Sequence, residues 1–252
     1  MELGLEGMKA IVTGGTGGIG RAVADVLAQE GCHVGICARR PDAVAETVAA
    51  LEATGVRAVG RALDVADGDD LTRWIEDAAT ALDGLDILVP NVSSLGSGEA
   101  EEAWRRAFEV DLLHTVRAVE AAGPYLRDSD AAAIVIVSSV SAREPRSAGP
   151  YGALKAALNH YGSGLAGTLA GDGIRVNVVS PGTVYVEDGY WGRVEREDPE
   201  RFGRVVAANP AGRMARPQEV ARSIAFLASP ASSFTSGTNL LVDGALTRGV
   251  QM

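Results

Sequence analysis

Apolar residues run along this chain in two alternating rhythms. Short β-branched and aliphatic runs recur at KAIVTG (9–14), HVGIC (33–37), RAVGRALD (57–64), LDILVP (85–90), AIVIVSS (133–139), IRVNVVS (174–180) and NLLVD (239–243). Longer stretches with a helical pattern separate them: GIGRAVADVLAQEG, PDAVAETVAALEATG, DDLTRWIEDAATAL, Glu101 to Leu126 and Pro150 to Ala170. Strands alternating with helices predict an α/β fold, a doubly wound parallel sheet of about seven strands with helices on both faces. Right-handed crossovers then bring the C-terminal ends of the strands to one edge, where ligands bind. No Pro/Ser-rich linker, composition break or internal repeat divides the chain, so residues 1–252 are expected to form one domain.

One segment breaks the rhythm. TVYVEDGYWGRVEREDPERFGRVVAANP (183–210) is charged and aromatic and predicts no strand of its own. Because it follows a strand end, it is expected to lie over the ligand edge as a mobile substrate lid, with a solvated insertion as the alternative. Tyr185, Tyr190 and Trp191 within it suggest an apolar or ring-bearing substrate, or aromatics that pack the lid shut.

Apolar residues make up 46% of the chain with few aromatics, enough for a core of Ala, Val, Leu and Ile. The 23 basic and 33 acidic residues leave a formal charge of −10. Such a surface repels phosphate backbones and anionic lipid, so neither nucleic acid nor membrane is an expected partner. An anionic ligand therefore has to be held by local positive features. The opening MELGLEGMKA has no basic region followed by an apolar core, and the longest apolar run, AAAIVIV (131–137), is too short to cross a bilayer; a cytoplasmic protein is expected. Cys32 and Cys37 are five apart, which on a strand points them to opposite faces as free thiols of a reducing compartment. They and His33, His114 and His160 make no metal-ligand pattern.

TGGTGGIG (13–20) follows the first strand and opens the first helix. Glycines there let backbone approach a pyrophosphate, and the helix N-terminus supplies N–H groups and partial positive charge. Gly14, Thr16, Gly18, Ile19 and Gly20 are the candidate contacts. At the end of strand two, NAD sites usually carry an acid for the ribose hydroxyls. Here Ala38 is followed by Arg39 and Arg40. Arginines in that place suit a 2′-phosphate, so NADP(H) is the expected cofactor, carried by Arg39, with NAD(H) left possible. Asp64, beside Val65 at the end of the third strand, is a candidate acceptor for the adenine amino group.

The strand AIVIVSS ends in Ser138 and Ser139, and the next helix begins with Tyr151 and Lys155, four apart on one face. These types suit carbonyl/alcohol redox chemistry: serine holds the substrate oxygen, tyrosine passes its proton, and lysine lowers the tyrosine pKa from about 10. No GxSxG elbow and no GxxxxGK[ST] loop occurs, which speaks against a hydrolase or a P-loop protein.

Taken together, TGGTGGIG, LDV (63–65), LVPNVS (88–93), VSS (137–139), YGALK (151–155), RVNVVSPG (175–182) and NLLVDGA (239–245) make nearly the whole chain resemble the short-chain dehydrogenase/reductase family, in its compact single-domain form. The resemblance implies a Rossmann fold and an NAD(P)-dependent oxidoreductase of secondary alcohols or ketones, acting on a 3-oxoacyl or similar carbonyl substrate. It implies a proton relay through Ser139, Tyr151 and Lys155, with Lys155 also bonding the nicotinamide ribose. Pro181, Gly182 and the backbone of Val184 would hold the carboxamide end. Three departures stand out. The family's NNAG reads Pro90-Asn91-Val92-Ser93, keeping Asn91 in a backbone-supporting turn; the asparagine of the relay is matched by Asp111; and the threonine of PGxVxT is replaced by Val186. The catalytic serine has two candidates: strand register favours Ser139 and the commonest spacing to the tyrosine favours Ser138. Gly17 stands where many NADP-using relatives carry a basic residue.

The Ala-rich helices around 101–126 and 150–170, together with the resemblance, lead us to expect a homotetramer or homodimer. The rival function is a catalytically weak dinucleotide-binding regulator of the same fold.

Overall fold

A fully apolar strand needs cover on both faces, and β5 (Ala133–Val137) is buried at every position. A computed structural model of the chain, describing residues 2–95, 98–145 and 147–249, supplies that cover as two helical layers. The strands β1 (Lys9–Thr13), β2 (His33–Ala38), β3 (Ala58–Ala62), β4 (Ile87–Val89), β5, β6 (Arg175–Pro181) and β7 (Asn239–Val242) form one sheet in the order β3-β2-β1-β4-β5-β6-β7. Every pair is parallel, with Ile11 opposite Gly35 on one side of β1 and Leu88 on the other. The strand order reverses between β1 and β4, and a crevice opens at the C-terminal ends there.

One layer consists of α1 (Gly18–Gln29), α2 (Pro41–Glu52) and α9 (Pro217–Ala228). The other consists of α3 (Gly68–Leu82), α5 (His114–Arg127) and α6 (Pro150–Leu169). Cys32 and Cys37 fall into the cores on opposite sides of the sheet, as their spacing predicts, and both are free. The sequence reasoning missed α9 altogether. Its signal was present: Pro217 at the first turn and Val220, Ala221, Ile224, Ala225 and Ala228 repeating at helical intervals, all buried.

One further segment differs from expectation. The stretch from Glu101 to Leu126 is not one α-helix: α4 (Glu101–Ala107) passes into a π-helical stretch, Phe108–Leu113, before α5 begins. The 183–210 segment folds into α7 (Tyr190–Glu197) and α8 (Pro199–Ala208). Its base is tied down by backbone bonds of 2.9 Å from Ala215 N–H to the Thr183 carbonyl and from Tyr185 N–H to the Ala215 carbonyl. Among the described residues no helix is long and apolar enough to cross a membrane.

Candidate active site

A cleft of about 870 Å³ opens at the sheet's switch point. That lies within the range of about 300–1,000 Å³ usual for ligand and cofactor sites. Gly14, Thr16, Gly18 and Ile19 line one wall, where the N-terminus of α1 faces the cavity. Gly20 lies behind that wall. A Cβ there would collide with the Gly14 carbonyl and the Asn91 side-chain amide. Only glycine lets the turn settle onto Asn91, whose amide donates to the carbonyl of Thr13 at 3.1 Å. A Cβ at Gly17 would meet nothing within 4 Å, so the turn leaves open space where a pyrophosphate needs it.

Behind the turn lies a buried link that the sequence did not announce. The Val110 carbonyl, 2.7 Å from His114 Nδ1, can only accept, so Nδ1 carries the proton and donates. His114 Nε2 is then the acceptor for the Thr13 hydroxyl at 3.1 Å, and that hydroxyl accepts the Asn91 N–H at 3.0 Å. Burial, and after it the positive charge of Lys155, push His114 down to about 4. A neutral imidazole thus connects the π-helical stretch to the glycine turn.

The Ser, Tyr and Lys predicted from sequence meet at the inner end of the cleft. The first two turns of α6 carry Tyr151 and Lys155, and Gly152 between them lets the helix lie against the turn at Val140–Ala142: a Cβ there would stand 2.7 Å from the Ser141 carbonyl. The two serines have different tasks. Ser138 donates to the Lys155 carbonyl at 3.0 Å, pegging α6 to the sheet. Ser139 accepts the Ser141 N–H at 3.1 Å and hydrogen-bonds the Tyr151 phenol. Lys155 Nζ lies 5.9 Å from the Tyr151 ring centre and donates to the Val137 carbonyl at 3.1 Å.

Asp111 does not line the cleft; it sits behind it, fully buried on the π-helical stretch. Its Oδ1 is 3.8 Å from Lys155 Nζ. Ser93 and Ser94 donate their hydroxyls to it, and the Ser94 N–H adds a bond at 3.0 Å. The expected lowering of Tyr151 by Lys155 is not what this site shows. Burial pushes the Tyr151 phenol above its ordinary value; the Ser139 bond works against that and Asp111 adds to it. Lys155 in turn is pulled down by its burial and held up by Asp111. The ammonium thus has a buried carboxylate as its neighbour on the side away from the cleft.

The outer end is built differently. Arg39 and Arg40 are exposed and line the cleft beside Ala38, with Asp64 and Val65 opposite. Asp64 is already engaged: it accepts the Ala66 N–H at 3.0 Å and Arg106 at 3.1 Å. Burial raises its carboxyl, but those two bonds and the charges of Arg106 and Arg39 outweigh it and hold the group below its ordinary value. Sequence reasoning did not single out Arg106, which α4 delivers to this end from a run of mixed charge, nor Ser93 and Ser94 as partners of Asp111. At the far side, Asn91, Pro181, Gly182 and Val184 line the wall toward the inner end.

Of the aromatics in 183–210, Tyr190 and Trp191 line the cleft and meet edge to face with ring centres 5.1 Å apart. Tyr185 instead donates to Glu195 at 2.5 Å and packs edge-on against Phe202, within the same segment. Among the described residues no group of three or more His, Cys, Asp or Glu could hold a metal ion.

The sequence profile described as enoyl-(acyl carrier protein) reductase matches residues 14–247. The chain is 39% identical to the isoepoxydon dehydrogenase of Penicillium expansum over 258 aligned positions, covering 100% of this chain and 99% of that protein. It is 38% identical to the cis-4-hydroxycyclohexanecarboxylate dehydrogenase of Sinomonas cyclohexanicum, covering 94% and 96%. The crystal structure of the L-sorbose reductase of Gluconobacter frateurii, complexed with NADPH and L-sorbose, superposes with a TM-score of 0.91 at 31% identity, covering 99% of this chain and 100% of that one.

Proposed function

The chain belongs to the short-chain dehydrogenase/reductase family, whose members are oxidoreductases, and from that premise we propose that it transfers a hydride between NADP(H) and a secondary alcohol or ketone. The observation that carries the proposal is the meeting of the Ser139 hydroxyl, the Tyr151 phenol and the Lys155 ammonium at one end of a cleft whose wall is a glycine turn and a helix N-terminus. The dinucleotide would supply the hydride when bound. The chain's own groups do the rest. Backbone N–H groups of Gly14 to Gly20 and the α1 terminus hold the pyrophosphate, Asp64 and Val65 the adenine, and Asn91 keeps the turn in place. Pro181, Gly182 and Val184 hold the carboxamide end. Ser139 positions the substrate oxygen and Tyr151 exchanges a proton with it.

Arg39 supports the choice of NADP(H): it stands beside Ala38 in a chain whose net charge is −10, where a 2′-phosphate needs a local cation. The solved relative binds NADPH. Tyr190 and Trp191 on the cleft wall favour an apolar or ring-bearing substrate, and the name of the Sinomonas relative speaks of a ring alcohol. We further propose one domain over 1–252 with 183–210 as its lid, in a cytoplasmic homotetramer or homodimer.

The test is a panel of cyclic and open-chain ketones and alcohols with both dinucleotides, following absorbance of the reduced nicotinamide. Turnover of a ring ketone with NADPH is expected. Tight dinucleotide binding without turnover on any substrate would favour the regulatory alternative.

A further inference from the structure

A buried carboxylate beside the lysine of this site calls for a function of its own. Asp111 is completely enclosed, 3.8 Å from Lys155 Nζ, and three donors converge on it: the Ser93 hydroxyl, the Ser94 hydroxyl and the Ser94 N–H. A carboxylate and an ammonium thus share one enclosed space, with three hydrogen-bond donors on the carboxylate side. Asp111 lies on the π-helical stretch, where backbone hydrogen bonds span one residue more than in an α-helix. Among the described residues, these groups stand near Tyr151 and Lys155. Ser139 faces Tyr151 from the end of β5, Lys155 from its own helix, and the neutral His114 faces Lys155 from α5; Asp188 and Tyr190 stand on the lid side of the cleft. Among these, Asp111 and Lys155 are the charged pair buried next to the phenol.

We infer that Asp111, clamped by Ser93 and Ser94, is a positioning residue that cancels the field of the Lys155 ammonium at Tyr151, so that the phenol keeps its proton at neutral pH and the site is set for reducing carbonyls. This rests on the hydride-transfer reading and deepens it with a direction. In that direction the carbonyl carbon takes the hydride and its electron pair from the reduced dinucleotide, and the carbonyl oxygen takes the Tyr151 proton. The products are an alcohol, the oxidised dinucleotide and a tyrosinate that regains its proton from solvent. A site that starts with the phenol protonated is ready for this step, whereas alcohol oxidation must first remove that proton.

The inference is tested on the free protein, without turnover. Phenolate absorbance is titrated in wild type and in Tyr151→Phe, and the difference gives the midpoint of Tyr151. The same subtraction is made in the Asp111→Asn background. A buried unit charge that acts on a titrating group in a protein interior is worth on the order of one pH unit or more, so the midpoint is expected to fall by about that much once the carboxylate is gone. Asp111→Ser, which also removes the charge and leaves Ser93 and Ser94 a hydroxyl partner, serves if the asparagine variant does not fold, with the same expected fall. An unchanged or higher midpoint in the folded neutral variant overturns the inference. As a second readout, the pH at which alcohol oxidation reaches half its maximal rate should fall in step with the midpoint. Failure of wild type to turn over any substrate would count against the proposed function alone, since the titration needs no substrate.

Discussion

The two ends of the cleft hold their charges under opposite conditions. At the inner end the side chains of Lys155 and Asp111 are 2% and 0% exposed. At the outer end Arg106 and Asp64 are 48% and 42% exposed, and Arg39 and Arg40 are open to solvent. The same Coulomb attraction is worth about 1 kcal/mol at 4 Å in water and about 4 kcal/mol at the effective dielectric of a protein. A change at the inner end should therefore appear in stability and in proton affinity. A change at the outer end should be screened until a phosphate arrives, and then appear in cofactor choice.

The largest effect should come from splitting the buried pair. Lys155→Met leaves the Asp111 carboxylate enclosed without its cation, and such an uncompensated charge costs about 3–5 kcal/mol. Chemical denaturation should show that loss, and adding Asp111→Asn should recover most of it. A single variant as stable as wild type would mean the pair is not the buried unit described.

His114 gives the next effect, with a defined sign. The folded protein keeps the imidazole neutral down to about 4, while the unfolded chain takes up a proton near the ordinary 6.5. Acid thus favours the unfolded chain: this contribution is complete above 6.5 and is lost as the pH falls to about 4, with a slope of at most about 1.4 kcal/mol per pH unit. In His114→Gln the stability curve should be flatter across that window than in wild type. Parallel curves would place the imidazole outside the buried link.

The outer end should act through the cofactor. One charge-assisted hydrogen bond is worth about 1.5–3 kcal/mol, so wild type should prefer NADP(H) to NAD(H) by roughly tenfold or more in kcat/KM. Rising ionic strength should narrow the preference, and Ala38→Asp should move it toward NAD(H). Equal or better use of NAD(H) by wild type would refute the role of Arg39. The smallest effect belongs to Arg106→Ala. Its pair with Asp64 is half exposed, so the stability change should stay below about 1 kcal/mol in the same denaturation experiment.

The same contrast explains what could be read from the sequence. Strands such as AIVIV are legible because burial on both faces demands an unbroken apolar run, and the glycine turn is legible because few other sequences fit that approach to Asn91. Tyr151 and Lys155 are legible from their helical spacing together with the hydroxyl-ended strand before them and the motifs around them. What escaped depends on long-range geometry. Nothing in FEVDLL shows that the helix widens there, or that Ser93 and Ser94 close on Asp111 from 18 and 17 positions away. His114 reaches Thr13 across 101 positions, and its residue type carries no sign of that. Burial lifts the Tyr151 phenol and Asp111 adds to it, and neither can be read from the spacing of tyrosine and lysine. The helix α9 is of the legible kind: Pro217 opens it and its buried Val220, Ala221, Ile224, Ala225 and Ala228 keep helical intervals.

The central claim is that Tyr151 exchanges the proton of a hydride transfer. It is tested most directly by measuring NADPH affinity and ketone turnover side by side in wild type and Tyr151→Phe. The ring stays and the hydroxyl goes, so affinity should be unchanged while turnover falls by about 10²–10⁴, the usual worth of a placed acid/base group. Turnover close to wild type in a Tyr151→Phe protein that still binds NADPH would contradict it.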